Sequence, residues 1–227
     1  MIKAIASKKP QRSRGPSASR RHGFKAAALV AMLALAGMPN RGAAMPASGG
    51  DTVQSLYDTL LATMKSGPTL GQSGRFAHLA PVIRKTFDLP LMTRLSVGPG
   101  WAALTETQRQ QVTESFGRYI SAIYADRFDS YDGQKLQVTG EDTTTGGVIV
   151  RSRIVKANGE PVEVDYLMHR NGDVWLISDI YLDGTISELA TRRSEFSAIL
   201  RSQGIDGLID ALNRKADMLT RTTARAN

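Results

Sequence analysis

Two changes of hydrophobic period limit what this chain can fold into. Up to about residue 128 apolar side chains recur every three or four positions. Residues 135–140, 147–156, 161–170 and 173–182 instead alternate and are rich in β-branched residues, and from Leu189 onward helical spacing returns. Turn residues at Thr143–Gly147, Asn158-Gly159 and Asn171-Gly172 separate the alternating stretches. They predict an antiparallel meander of about four strands. Helices, then strands, then helices is an α+β order: a single domain with helices packed on one face of a curved sheet.

The helical parts carry their own punctuation. Asp51 is placed to cap a helix with Val53, Leu56, Tyr57, Leu60, Leu61 and Met64 on one face, ended by Gly67-Pro68. Pro81, Pro90 and Pro99 predict short, broken helices over 69–100, with Phe76, Leu79, Ile83, Phe87, Leu91 and Leu95 as core positions. Thr105-x-x-Gln108 is a capping box opening the longest helix, about 106–128. Gly204 interrupts the last helical stretch and Asp206 restarts it.

Strand faces say more than strand limits. A two-residue Asn171-Gly172 turn pairs Met168 with Trp175, Tyr166 with Ile177 and Val164 with Asp179. One face then collects Val164, Tyr166, Met168, Trp175, Ile177 and Tyr181. At the Asn158-Gly159 hairpin a two-residue loop would turn Arg151 and Arg153 onto that apolar face. A three-residue loop with a bulge puts Val148, Val150 and Ile154 there instead, and sends the arginines out beside Glu163 and Asp165. Burying two unpaired guanidiniums costs several kcal/mol, so the bulged register is expected.

Charge is divided unevenly along the chain. Residues 1–44 hold nine of the 29 Lys and Arg and none of the 21 Asp and Glu, leaving 20 basic against 21 acidic after them. The overall +8 therefore belongs to this segment, and nucleic acid loses its support as a partner. A basic run, the 13-residue apolar stretch Ala26–Met38 and Gly42-Ala43-Ala44 read as a cleaved signal peptide, too short in its apolar part to span a bilayer. Residues 45–50 would then be a flexible run-in, 51–220 the domain and 221–227 a tail, in a periplasmic protein. The Arg20-Arg21 segment partly matches a twin-arginine signal with Phe24 displaced by one position, so general secretion is favoured. The absence of cysteine means that packing, without disulfides, must hold the domain together.

Catalytic signatures are sparse. There is no phosphate loop ending in Gly-Lys-Ser/Thr and no His or Cys spacing for a metal, and Gly71-Gln72-Ser73-Gly74 is one residue short of a nucleophile elbow. No cofactor is implied. Asp179, placed by alternation on the apolar face, is the one polar residue in an odd position. It is expected to form a buried ion pair with Arg193, or Arg192, fixing helix to sheet. The competing reading makes it a general base in an apolar pocket, with Tyr166 or Tyr181.

An ordered set of motifs resembles the toluene-tolerance/MlaC family. It comprises Phe87-Asp88, Met92, Gly100-Trp101, Leu104-Thr105-x-x-Gln108 and Phe116, then Val162-x-Val164-Asp165-Tyr166-Leu167, Gly172-x-x-Trp175-Leu176-Ile177-Ser178-Asp179-Ile180, Gly184 and Arg193-x-x-Phe196. Gly184-Thr185-Ile186-Ser187-Glu188-Leu189 and Arg192-Arg193-Ser194-Glu195-Phe196 look more like its hopanoid-associated branch, HpnM. The resemblance implies a non-enzymatic periplasmic shuttle of a phospholipid or hopanoid-type lipid between inner and outer membrane. Its partners would be a membrane-embedded ABC transport complex and an outer-membrane lipid donor or acceptor. The expected apolar cavity lies between Val164, Tyr166, Met168, Trp175 and Ile177 on the sheet and Leu91, Leu95, Trp101, Phe116, Ile120 and Tyr124 on the helices. An adaptor whose apolar face is only core, and the Asp179 proton-transfer enzyme, are the alternatives.

Overall fold

The computed structural model describes residues 48–221. The expected signal peptide, residues 45–47 of the run-in and all but the first residue of the tail lie outside the described residues, while residues 48–50, expected to be flexible, form the cap and first turn of α1. The order is α1 (Gly49–Lys65), α2 (Gly67–Thr86), α3 (Leu89–Val97), a 3₁₀ turn (Gly98–Ala103), α4 (Glu106–Arg127), β1 (Lys135–Thr144), β2 (Gly147–Val155), β3 (Pro161–Asn171), β4 (Val174–Leu182), β5 (Ile186–Ser187) and α5 (Glu188–Arg221). The strands form one antiparallel sheet in the order β1-β2-β3-β4-β5, with the helices packed on its inner face. The two-residue β5 extends the expected meander. Among the described residues no helix is long and apolar enough to cross a membrane.

Helix ends follow local chemistry, with two corrections. Ser48, not Asp51, caps α1; Asp51 is the third helical residue and its carboxylate accepts from the Ser48 N–H at 3.0 Å, closing a capping box. Pro81 does not break α2, which runs through it. The interruption is at Gly71 (φ 61°, ψ −176°), a conformation that is essentially glycine's alone. Pro68, Pro90 and Pro99 lie in first turns, where the missing N–H would be unpaired anyway, and Gly67-Pro68 opens α2 instead of closing α1. Thr105 and Gln108 form the expected box on α4, and α5 is kinked at Gly204 (φ 68°, ψ −166°).

The β2–β3 hairpin has the expected register. Lys156 N–H donates to the Glu160 carbonyl around the three-residue loop Ala157-Asn158-Gly159, and Val148, Val150 and Ile154 are buried. Arg151 and Arg153 face outward, pairing with Asp165 at 2.6 Å and Glu163 at 3.0 Å.

The β3–β4 register differs from expectation. The turn is Gly172-Asp173, so Met168 pairs with Ile177 and Arg170 with Trp175; a bulge at Ser178 then pairs Leu167 with Asp179 and Tyr166 with Ile180. The extra residue reverses which face each later side chain takes. Ile180 and Leu182 turn inward, and Asp179 and Tyr181 turn away from the apolar face. The expected Val164–Asp179 pair is replaced by Val164–Leu182. Seven apolar positions along β4 and β3 become inward-facing by this one bulge or remain so, without burying the carboxylate among them.

Candidate functional site

Part of the inner sheet face is taken by α1. Its first turn comes so close that a Cβ on Gly49 would sit 2.9 Å from Val148 Cγ2 and 3.2 Å from Met168 Sδ. Farther along, the Tyr57 ring meets Tyr166 edge-on with centroids 6.0 Å apart. The Tyr57 hydroxyl donates to Ser152 Oγ at 2.6 Å, and Ser152 donates to the Val164 carbonyl. Burial pushes the Tyr57 phenol up to about 12, with the Ser152 hydrogen bond acting the other way. Burial raises Tyr166 and Tyr124 as well. Val164, Tyr166, Met168 and Ile177 are therefore buried in this packed region.

The apolar space lies beyond it, where α3, α4 and the first half of α5 meet β4. It is lined by Phe87, Met92, Phe116, Ile120, Ile123, Tyr124, Ile180 and Leu189, with Glu188 and Arg192 as the charged members. Its free volume is about 20 Å³, room for one or two waters, so in this conformation it is closed. Phe116 holds its wall by an edge-on contact with the fully buried Phe196 of α5 at 5.9 Å, and Phe87 meets Tyr124 in the same way at 5.7 Å. The Phe87 strand residue bridges to Ile177, and the Asp88 N–H donates to the Ile177 carbonyl at 2.9 Å. Asp88 also caps α3 and lies 3.0 Å from His169 Nε2, giving that histidine a helix-to-sheet tether.

Of the expected lipid-contacting residues, Phe116, Ile120 and Tyr124 line this space, while the sheet residues Val164, Tyr166, Met168 and Ile177 do not. Trp175 is half-buried with the Arg170 guanidinium 5.6 Å above its ring, and Trp101 is half-buried under Arg109 at 5.7 Å. Leu91 is half-buried and Leu95 is 40% exposed, because α3 turns Leu89, Met92 and Val97 inward instead. Sequence reasoning missed Met92, Ile123, Ile180, Leu189, Glu188 and Arg192 as lining residues. Ile123 and Met92 were recoverable from helical spacing; Ile180 was not, without the bulge.

The expected Asp179–Arg193 pair is not formed. Asp179 Oδ1 accepts from the N–H groups of Ile180 at 2.7 Å and Leu189 at 3.0 Å, and Oδ2 accepts from Ser187 Oγ at 2.6 Å. Ser187 in turn accepts from the Ala190 N–H at 2.9 Å. Asp179 and Ser187 together cap the start of α5, where the free N–H groups and the helix dipole favour an anion. Arg193 instead lies against Gly98, and Arg192 bonds Glu188. Tyr166 is on the opposite sheet face from Asp179; Tyr181 shares its face, and burial and the carboxylate raise that phenol.

Two larger depressions are open surface grooves. One, about 470 Å³, is polar, between α4 and α5 at Glu114, Arg118, Asp206 and Asp210; the other, about 370 Å³, runs past Val97, Leu104, Leu200 and the Gly204 kink.

The phospholipid-binding protein from Ralstonia solanacearum, solved in complex with a phospholipid, is similar in structure. Its TM-score is 0.67 and its sequence identity 26%, over 76% of this chain and 99% of that chain. The family described as MlaC protein matches residues 54–214, most of the domain. The chain belongs to the MlaC protein family.

Proposed function

We propose that this protein is a periplasmic carrier that binds a phospholipid or hopanoid-type lipid beneath α5. In this reading it passes the lipid between an ABC transport complex and the outer membrane. The observation that carries the reading is the apolar space between β4, α3, α4 and α5, walled by Phe116, Ile120 and Tyr124. Family membership and the phospholipid bound by the Ralstonia solanacearum protein support it.

The closed volume makes opening part of the function. Lipid pockets need several hundred Å³, so α5 and the sheet must separate before a chain enters. The first half of α5 is bounded by Gly204 at one end and by the left-handed Asp183-Gly184 pair (φ 50° and 72°) at the other. Those are the positions at which it can swing as a unit, with Phe196 as the side chain that leaves the core. Organic extraction of the purified protein followed by mass spectrometry tests the reading. One lipid per chain is the expected result; a protein that copurifies with none and takes none from vesicles is not a carrier.

A further inference from the structure

Residues 89–105, which span α3 and the 3₁₀ turn, include no acidic side chain. They also leave apolar groups in water. None of the residues of the 3₁₀ turn, Gly98-Pro99-Gly100-Trp101-Ala102-Ala103, is buried, although none carries a charge or a hydroxyl. On α3, Leu91, Arg94, Leu95 and Gly98 follow at i, i+3, i+4 and i+7, so the half-buried Leu91 and the 40% exposed Leu95 share an outward face with Arg94.

Four guanidiniums gather at this corner. Arg94 is exposed on α3, and Arg109 stands over the Trp101 ring at 5.7 Å and donates to the Ala102 carbonyl at 3.2 Å. From α5, Arg193 lies against Gly98, and Arg201 lines the open groove of about 370 Å³ with Val97, Leu104 and Leu200. Carboxylates answer little of this charge. Glu106 reaches Arg109 only at 3.8 Å and is itself mostly exposed, and Glu195 is taken by Arg192 at 3.0 Å. The residues after 44 carry 20 basic against 21 acidic side chains, so the excess is local to the corner and not a property of the whole domain.

An exposed apolar strip ringed by cations, with a tryptophan among them, matches the headgroup layer of an anionic bilayer: apolar groups enter the chain boundary and guanidiniums stay with the phosphates. A surface of one sign is complemented by a uniformly anionic one, which such a bilayer is and a folded protein of mixed charge is not. We propose that the corner formed by α3 and the 3₁₀ turn docks the protein on an anionic lipid surface. The groove then faces the bilayer. Val97 and Leu200 line it, Met92 and Leu189 line the closed space, and all four lie along one seam between α3 and α5, with Phe196 between the two sites on α5. A chain entering that seam would leave the membrane without crossing water, a step that rests on the lipid-carrier reading.

Trp101 and Trp175 are the chain's two tryptophans, so Trp175→Phe leaves Trp101 as a single reporter. The readout has to be local, because the nine basic side chains of residues 1–44 would bring the full-length protein to anionic vesicles by themselves. Full-length Trp175→Phe is mixed with phosphatidylcholine vesicles brominated near the headgroup end of their chains, with and without phosphatidylglycerol. Trp101 should be quenched by the anionic vesicles, far less by the neutral ones, and should recover when the vesicles are spun out. Arg193→Ser/Arg201→Ser, at two exposed positions, should raise the vesicle concentration for half-maximal quenching about 25-fold, a factor of about five for each charge. The unaltered protein, in which part of the emission is quenched, keeps the test valid if Trp175→Phe fails to fold. Quenching that stays with the protein after the vesicles are removed reports a carried lipid; it overturns the docking and leaves the carrier reading standing. An unquenched Trp101 in a protein that still takes lipid does the same and gives the corner to a protein partner. A protein that docks and takes no lipid upholds the docking and sinks the carrier reading.

Discussion

Replacing Asp179 separates two accounts of how α5 is fixed to the sheet. If the carboxylate balanced Arg193, removing either partner would destabilise the fold equally and the two losses would be coupled. The geometry gives a different result. Asp179→Ala strands the N–H groups of Ile180 and Leu189 and frees Ser187 Oγ, which also caps Ala190. Each buried donor left unpaired costs about 1–3 kcal/mol, and water reaching the helix end recovers part of that, so the loss should be about 3 kcal/mol. In a domain of this size that is roughly 6–12 °C in Tm. Asp179→Asn keeps an acceptor for the backbone and should lose about 1 kcal/mol. Arg193→Ala, which trims an exposed side chain lying near Gly98, should change stability by about 0.5 kcal/mol or less. Urea denaturation of the single variants and of the double variant measures all of this. A coupling energy of about 1 kcal/mol or more between positions 179 and 193 would refute the helix-cap account.

Three further outcomes follow from the same packing. Tyr57 is raised from 10.0 to about 12 in the folded chain, so its contribution is intact below pH 10 and is lost as pH rises toward 12, at about 1.4 kcal/mol per unit; the alkaline limb of a pH–stability curve should be shallower for Tyr57→Phe. Gly204→Ala meets no steric obstacle but forces a side chain into a backbone region reserved for glycine, costing about 1–3 kcal/mol in thermal denaturation, and it should slow lipid exchange between vesicles in a fluorescence assay. Ile120→Asp places a charge in the cavity wall and should abolish lipid retention at temperatures where circular dichroism still reports the native fold; retention of lipid by that folded variant would move the binding site elsewhere.

How far the sequence reached depends on which physical signal each feature leaves. The Thr105–Gln108 box, the Gly204 kink and the β2–β3 register were legible because each is decided locally or by a large penalty, here the burial of Arg151 and Arg153. The β3–β4 register was not. Ser178 is a small residue among apolar neighbours, and nothing in alternation announces that one position will be left unpaired. That single bulge accounts for two errors together: Asp179 assigned to the wrong face, and Ile180 omitted from the cavity. The amphipathic stripe of α1 was clear, but its direct contact with the sheet was not, and so Tyr166 and Met168 were assigned to a ligand when α1 covers them. Leu95 illustrates the remaining limit: in a nine-residue helix several apolar residues compete for one buried side, and Leu89, Met92 and Val97 take it.

The same features explain why a chain with an apolar lining can rest closed. Opening by α5 would expose Phe196 and the wall around Phe116, and fully burying a side chain of that size is worth about 1.5–3 kcal/mol. An empty carrier therefore gains by collapsing onto itself, and a lipid must replace those contacts area for area. Both α2 and α5 carry their break at a glycine of positive φ beside which an added Cβ would find open space. A swing hinged at Asp183-Gly184 must also break the hydrogen bonds from Ser187 and Leu189 to Asp179, which hold the start of α5 to β4. Affinity must then come from the apolar area that a lipid covers beyond what the collapsed walls already bury against each other.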